Sequence, residues 1–173
     1  MTLSLSRSPH LGRMFGCSNS EEGPDFLAER VLQACRQLAS YTLLDFSKPM
    51  LAMSRERLAA FSAASFVLGD FRSGDWPRAV RGPFDCVVSM QAIHEVRHKR
   101  NVPRLYEQVY GVTVTSGLVL ICDHIPEDDS WRNTSLFMTE EEQLQALSRA
   151  GFVDVKVATS INGLVLYACT RAS

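Results

Sequence analysis

Four apolar runs of the chain end on side chains that can hold or react with a ligand. Asp45 closes "YTLLD", Asp70 closes "FVLGD", Gln91 follows "CVVSM", and Asp123 with His124 closes "LVLICDH". A carboxylate accepts from two neighbouring hydroxyls at once, so Asp45 suits a ribose diol. Asp70, with the aromatic Phe71 after it, suits the exocyclic amine of a base against which the ring packs. An aspartate in such a position can equally cap the helix that follows, and Asp45 taken alone is open to both readings. Two of them, 25 residues apart and each ending an apolar run, favour the ligand. Gln91 and His94, in "MQAIHEV", either line the same pocket or begin the next helix. His94, His98 and His124 lack an acidic partner at a set spacing, so solvated or hydrogen-bonded histidines are expected and no metal site.

Such side chains act together only if a fold brings strand ends to one edge. The periodicity predicts a helix over residues 25–38, entered through Pro24, then a strand over 41–46. A second helix over 48–61 has a proline near its first turn, and 64–71 is a strand. Residues 72–83 read as a loop with a short turn, 84–90 as a buried strand, 102–113 as an amphipathic helix, and 117–124 as a fully apolar strand. After a polar stretch, Thr139 followed by Glu142 forms a capping-box pattern, and Gly151 is a natural helix stop. Two last strands, "VDVKVAT" and "GLVLYACT", are joined through "SING", which favours a hairpin. The series predicts a three-layer α/β fold: a mostly parallel sheet with an antiparallel C-terminal hairpin, covered by helices on both faces. Ligands bind such sheets beyond the carboxyl ends of the strands. One domain is expected over 25–173, preceded by an irregular or disordered leader over 1–24.

The bulk properties agree with one domain. The 173 residues are 46% hydrophobic and 21% charged, as in a globular chain. Eighteen basic against nineteen acidic residues, with no dense basic block, disfavour nucleic-acid binding by phosphate neutralisation. The five cysteines are scattered, include no CxxC and fall partly in apolar runs, so reduced thiols in a cytoplasmic protein are expected. No apolar run approaches the roughly 20 residues that span a bilayer. The first twenty residues, rich in Ser and Arg, lack the apolar core of a secretory signal and read as an unstructured leader.

Taken in order, these segments resemble a class I S-adenosylmethionine-dependent methyltransferase of the small-molecule type. "LLDFSKPMLAMSRERL" is similar to the family's second motif, and "FVLGDF" to its third strand. "FDCVVSMQAIHEV" is similar to the fourth strand and the turn after it. "GLVLICDH" resembles the fifth strand, and "EEEQLQALSRAGFVDVKV" the helix and "AGF" turn before the terminal hairpin. The resemblance spans about residues 25 to 171 and implies a Rossmann-like methyltransferase fold with S-adenosylmethionine as cofactor. It further implies that Asp45 binds the ribose hydroxyls and that Phe46 and Met50 pack near the adenine. Asp70 would accept from the adenine amine with Phe71 beside it, while Met90, Gln91 and Ala92 would line the cofactor pocket.

The departure lies at the start, where the family has an apolar central strand and a "GxGxG" turn. Counting back from Asp45 puts that turn over Glu21, Gly23 and Asp25, so Gly23 alone keeps a glycine there, and "RMFGCSNS" is a poor buried strand. The first strand is therefore expected to be missing or irregular, with the leader supplying a makeshift strand as one way to fill the gap. In methyl transfer the protein mainly binds, orients and sometimes supplies a base. His94 is the first candidate base and His124 the second, while Trp131 and Phe137 suit a lid over an apolar small-molecule acceptor. The alternative is a non-catalytic methyltransferase-like fold serving as an interaction module or without activity. A dehydrogenase-like nucleotide binder is a third reading, disfavoured by the missing glycines and the terminal hairpin.

Overall fold

A computed structural model describes residues 12–18, 25–126 and 135–173. Strand β1 (Arg13–Ser18) leads to helix α1 (Asp25–Ala34), β2 (Ser40–Asp45), α2 (Lys48–Arg57) and β3 (Ala64–Leu68). The short α3 (Trp76–Ala79), β4 (Phe84–Met90), two turns of 3-10 helix (Ile93–Val96 and Lys99–Asn101) and α4 (Val102–Val112) follow. The chain ends with β5 (Thr113–His124), α5 (Glu140–Arg149), β6 (Phe152–Ile161) and β7 (Leu164–Arg171). The strands lie in the order β3-β2-β1-β4-β5-β7-β6. The first five in that row are parallel, and β7 runs antiparallel to both β5 and β6. This is the expected mostly parallel sheet with a C-terminal hairpin.

The strand expected to be missing or irregular is present, short, and central. β1 pairs with β2 through Gly16 opposite Leu43 and with β4 through Ser18 opposite Met90. The sheet therefore begins at Arg13, inside the stretch expected to be an irregular leader. Asp25, which the count back from Asp45 put in the glycine turn, instead opens α1. The reason "RMFGCS" escapes periodicity is that its neighbours supply the ladder on both sides, so it needs backbone groups more than apolar side chains. Two positions carry its packing. Phe15 is buried and stacks on Trp76 at 5.5 Å and against Phe84 at 5.4 Å. Gly16 is where Tyr41 crosses the strand: a Cβ there would collide with the buried phenol.

Two apolar layers sandwich the sheet. Phe15, Leu44, Val87, Val119, Ile121 and Tyr167 meet Trp76, Tyr106, Val109 and Leu147 from α3, α4 and α5 on one face. Ala28, Leu32, Leu51 and Leu58 of the α1 and α2 side meet Tyr41, Leu43, Cys86 and Val88 on the other. Helix ends follow local chemistry. Ser47 caps α2 by accepting from Met50 N, and Pro49 sits in the first turn, where its missing N–H costs nothing. At α5 the capping box closes reciprocally: Glu142 N donates to Thr139 Oγ1 at 3.2 Å, and Thr139 N donates to Glu142 Oε2 at 2.9 Å. Gly151, at φ +100°, follows that helix in the left-handed conformation glycine favours. Among the described residues no helix is long and apolar enough to cross a membrane.

Candidate functional site

The carboxyl ends of the parallel strands share one edge. Ser18 pairs with Met90, Met90 pairs with Cys122, and Asp45 is the last residue of β2, beside Leu68 at the end of β3. Polar residues collect where this edge turns away into loops and helix starts.

On the β2 side, Asp45 is buried, 9% exposed, and its Oδ1 accepts from Ser47 N at 2.7 Å. Burial raises its carboxyl pKa, with the backbone amides of Ser47 and Phe46 pulling the other way. It thus takes part in the entry to α2 from the end of β2. Phe46 is 48% exposed, and Met50, in the first turn of α2, is half-buried. Asp70 lies two residues beyond β3, and a single arginine grips it. Arg72 Nε donates to both carboxylate oxygens at 2.8 Å, its Nη2 donates to Oδ2 at 2.5 Å, and Arg72 N donates to Oδ1 at 2.9 Å. That guanidinium holds the Asp70 carboxyl below its ordinary range and lies over the Phe46 ring, 5.3 Å from its centroid. Phe71 turns away and packs on the core, lining a small cavity of about 140 Å³ with Val96 and Leu105 of the 3-10 turn and α4.

On the β4–β5 side the geometry is tighter. Gln91 takes a positive φ of 51°, an uncommon conformation for a residue with a side chain, as the chain leaves β4. Its amide donates to the Cys122 carbonyl at 2.7 Å, and its Nε2 donates to His124 Nε2 at 3.2 Å. Ala92 is buried at the start of the 3-10 turn that carries His94. His94 Nδ1 lies 2.7 Å from Asp123 Oδ1, and His94 N donates to Asp123 Oδ2 at 3.0 Å. His124 N also donates to Asp123 Oδ1, at 2.8 Å. Asp123 is 1% exposed, so a buried carboxylate is satisfied by three donors.

This arrangement sets the state of the imidazole. An ionised carboxylate only accepts, so the neutral His94 ring carries its proton on Nδ1 and its lone pair on Nε2. Burial, the largest single influence, pushes the His94 pKa down. The hydrogen bond and charge of Asp123, aided by Glu95, more than reverse this, and the pKa lies above the usual imidazole value. Phe137 packs on His94 at 5.2 Å and on His124 at 6.3 Å, the two imidazoles being 6.3 Å apart. The His124 Nε2 lone pair receives the Gln91 amide, while His94 Nε2 lies 3.8 Å from Glu95 Oε1.

The edge thus gathers two clusters among the expected residues: Phe46 and Asp70 held by Arg72, with Asp45 next to Phe46 in the chain, and His94 and His124 held by Asp123, with Gln91 bonded to His124. Gly23 and Trp131 lie outside the described residues. His98 caps a 3-10 turn by accepting from Arg100 N, and no cluster of metal-ligating side chains occurs among the described residues. Two participants went unassigned in the sequence. Asp123 was legible as a strand-ending polar residue; alternation along β5 puts it on the buried face, where a carboxylate demands donors. Arg72 gave no signal, since its partner and ring neighbour are brought near it only by the fold.

A family model described as a methyltransferase domain matches residues 23–117. No curated protein matches the chain in sequence. Among solved structures, the CurJ carbon methyltransferase superposes with a TM-score of 0.76 at 12% identity, over 94% of this chain and 49% of that one. An O-methyltransferase family protein from Burkholderia thailandensis gives 0.75 at 16%, over 94% and 52%. Human N-acetylserotonin methyltransferase, solved in complex with S-adenosylmethionine, gives 0.71 at 14%, over 94% and 48%. The chain spans about half the length of these proteins, and at such identities the likeness is one of fold. With the family model covering more than half of its residues, the chain belongs to the methyltransferase domain family and has the fold of class I S-adenosylmethionine-dependent methyltransferases.

Proposed function

We propose that the chain transfers a methyl group from S-adenosylmethionine to a small-molecule acceptor. The observation that carries this reading is the His94–Asp123 pair, an imidazole 2.7 Å from a buried carboxylate at the same strand edge as the buried Asp45. When bound, the cofactor supplies the sulfonium-borne methyl group. The residues present fit it in part. Asp45, an acidic group at the end of β2, would hold the ribose hydroxyls, and Phe46 and Met50 would flank the adenine. Met90, Gln91 and Ala92 would line the pocket between the two clusters, and Gly23 would belong to the connection between Ser18 and Asp25. Asp70 would accept from the adenine amine once Arg72 lets go, with Phe71 supporting that loop from the core side.

His94 Nε2 would take the proton of an acceptor hydroxyl or amine, and Asp123 would stabilise the imidazolium that results. His124 is the second candidate, with Gln91 orienting its ring. Free thiols at Cys35, Cys86, Cys122 and Cys169 suit a reducing, cytoplasmic setting. The Asp70–Arg72 pair favours a second reading, a methyltransferase-like fold that no longer binds the cofactor. Calorimetric titration with S-adenosylmethionine and S-adenosylhomocysteine separates the two: saturable binding lost in Asp45→Ala supports the enzyme, and no heat at millimolar cofactor with folded protein sinks it.

A further inference from the structure

We infer that the acceptor is an uncharged, largely apolar small molecule seated in a cleft on the α1 side of the sheet, between β4, β5 and the β6–β7 hairpin. The inference rests on the methyl-transfer reading and names its substrate class. The cleft measures about 440 Å³, within the roughly 300 to 1,000 Å³ of small-molecule sites. Val88, Met90, Leu120, Cys122, Leu164 and Leu166 contribute to its lining, Leu27 of α1 adds to it, and Ile161 and Asn162 come from the hairpin. No lining side chain carries a formal charge at neutral pH, so a carboxylate or phosphate placed there would lose water and gain no partner.

What points to an acceptor, rather than to a covering protein segment, is the end at which the cleft stops. Met90 and Cys122 are paired at the carboxyl edge. Alternation along β5 sets Leu120, Cys122 and His124 on one face and Asp123 on the other. Ser89, Thr159 and Asn162 are the uncharged polar members of the lining, and at the carboxyl end of the strands the floor gives way to the hydrogen-bonded Gln91–His124 pair, with the His94 imidazole 6.3 Å from that of His124. A ligand with an apolar body and one hydroxyl or amine lays its body along the floor and presents its polar end to the histidines. Met90 is also in the proposed cofactor lining, so the two sites abut.

Cys122 gives a readout independent of turnover. The full chain is titrated with 1-naphthol as the neutral probe and 1-naphthoate as the charged one, and alkylation of Cys122 is followed by mass spectrometry with Cys35 as internal control. The expected result is that naphthol binds, slows Cys122 alkylation by about fivefold or more and leaves Cys35 unchanged, whereas naphthoate does neither. A Cys122→Phe variant, which fills the cleft from its floor, is expected to weaken naphthol binding by about tenfold while keeping the wild-type melting profile. Naphthol binding without Cys122 protection, equal protection by naphthoate, or self-association that alone shields Cys122 overturns the inference. Protection of Cys122 by a chain that binds no S-adenosylhomocysteine keeps the cleft and removes the methyl-transfer reading. Cofactor binding without protection does the reverse.

Discussion

At the scale of single residues, stability and the proposed activity make opposite demands on the His94 imidazole. The His94 pKa is raised in the folded chain, so the pair contributes stability fully below the unfolded imidazole value of about 6.5 and loses it as pH rises through the folded pKa. As the proposed base His94 must be neutral, so activity is expected to rise over that same upward-shifted range. Asp123→Asn removes the charge that raises the pKa. The acid limb of kcat/KM should move to lower pH, kcat should fall by about 10²-fold or more, and the stability difference between pH 6 and pH 8 should shrink. An unmoved acid limb in this variant would show that His94 is not the titrating base. Arg72 makes a second case. Its planar guanidinium already meets both groups proposed to face an adenine, the Asp70 carboxylate and the Phe46 ring. Both partners are about a third exposed, and exposed pairs contribute about 0 to 1 kcal/mol, so a ligand can displace this one. Arg72→Ala is expected to tighten S-adenosylhomocysteine binding by up to about fivefold in calorimetry; weaker binding would mean that Arg72 helps hold the cofactor.

At the scale of elements, the short central strand is the critical one. β1 has a strand on each side, and its six residues gain most of their stability from those ladders and from Phe15. Gly16→Ala would push a methyl group into the Tyr41 phenol, which is buried and has little room to retreat. Overpacking of this kind costs about 1 to 3 kcal/mol, to be read as a lowered urea midpoint with an unchanged slope. A Tyr41→Phe, Gly16→Ala double variant should recover part of the loss, because the collision is chiefly with the phenol oxygen. At α5, Thr139→Ala removes one side of a reciprocal cap and is expected to cost about 0.5 to 2 kcal/mol. Lys99 Nζ meets Glu142 Oε1 at 2.6 Å and ties that cap to the 3-10 turn before α4. Loosening the cap thus also loosens the segment from which Phe137 reaches the histidines.

At the scale of the whole molecule, the proposed cofactor site lies at one edge of the sheet, and the apolar cleft runs from that edge along one face. Cofactor contacts from β2, β4 and α2 would tie together separate elements of the fold. A ligand that binds only the folded state at 100 times its Kd adds about 2.7 kcal/mol of stability. For a domain of this size that is a rise in Tm of roughly 5 to 11 °C, and S-adenosylhomocysteine should produce it in a thermal scan. Asp45→Ala should abolish most of the rise, because it removes the group proposed to hold the ribose.

The sequence by itself determined the alternation of strands and helices, the capping box, the terminal hairpin and the strand-ending polar residues. Each of these is local: an apolar period, a proline in a first turn, a Thr–Glu spacing. Hence Asp45, Gln91, His94 and His124 were legible as site candidates before any fold was in hand. Only the tertiary structure decided that "RMFGCS" is a strand, since its ladder comes from residues more than twenty positions away. Only packing set Asp123 behind His94, turned Phe71 into the core and brought Arg72 across Asp70 and Phe46. Those outcomes depend on which side chains meet across the sheet and its loops, and no period along the chain encodes that meeting.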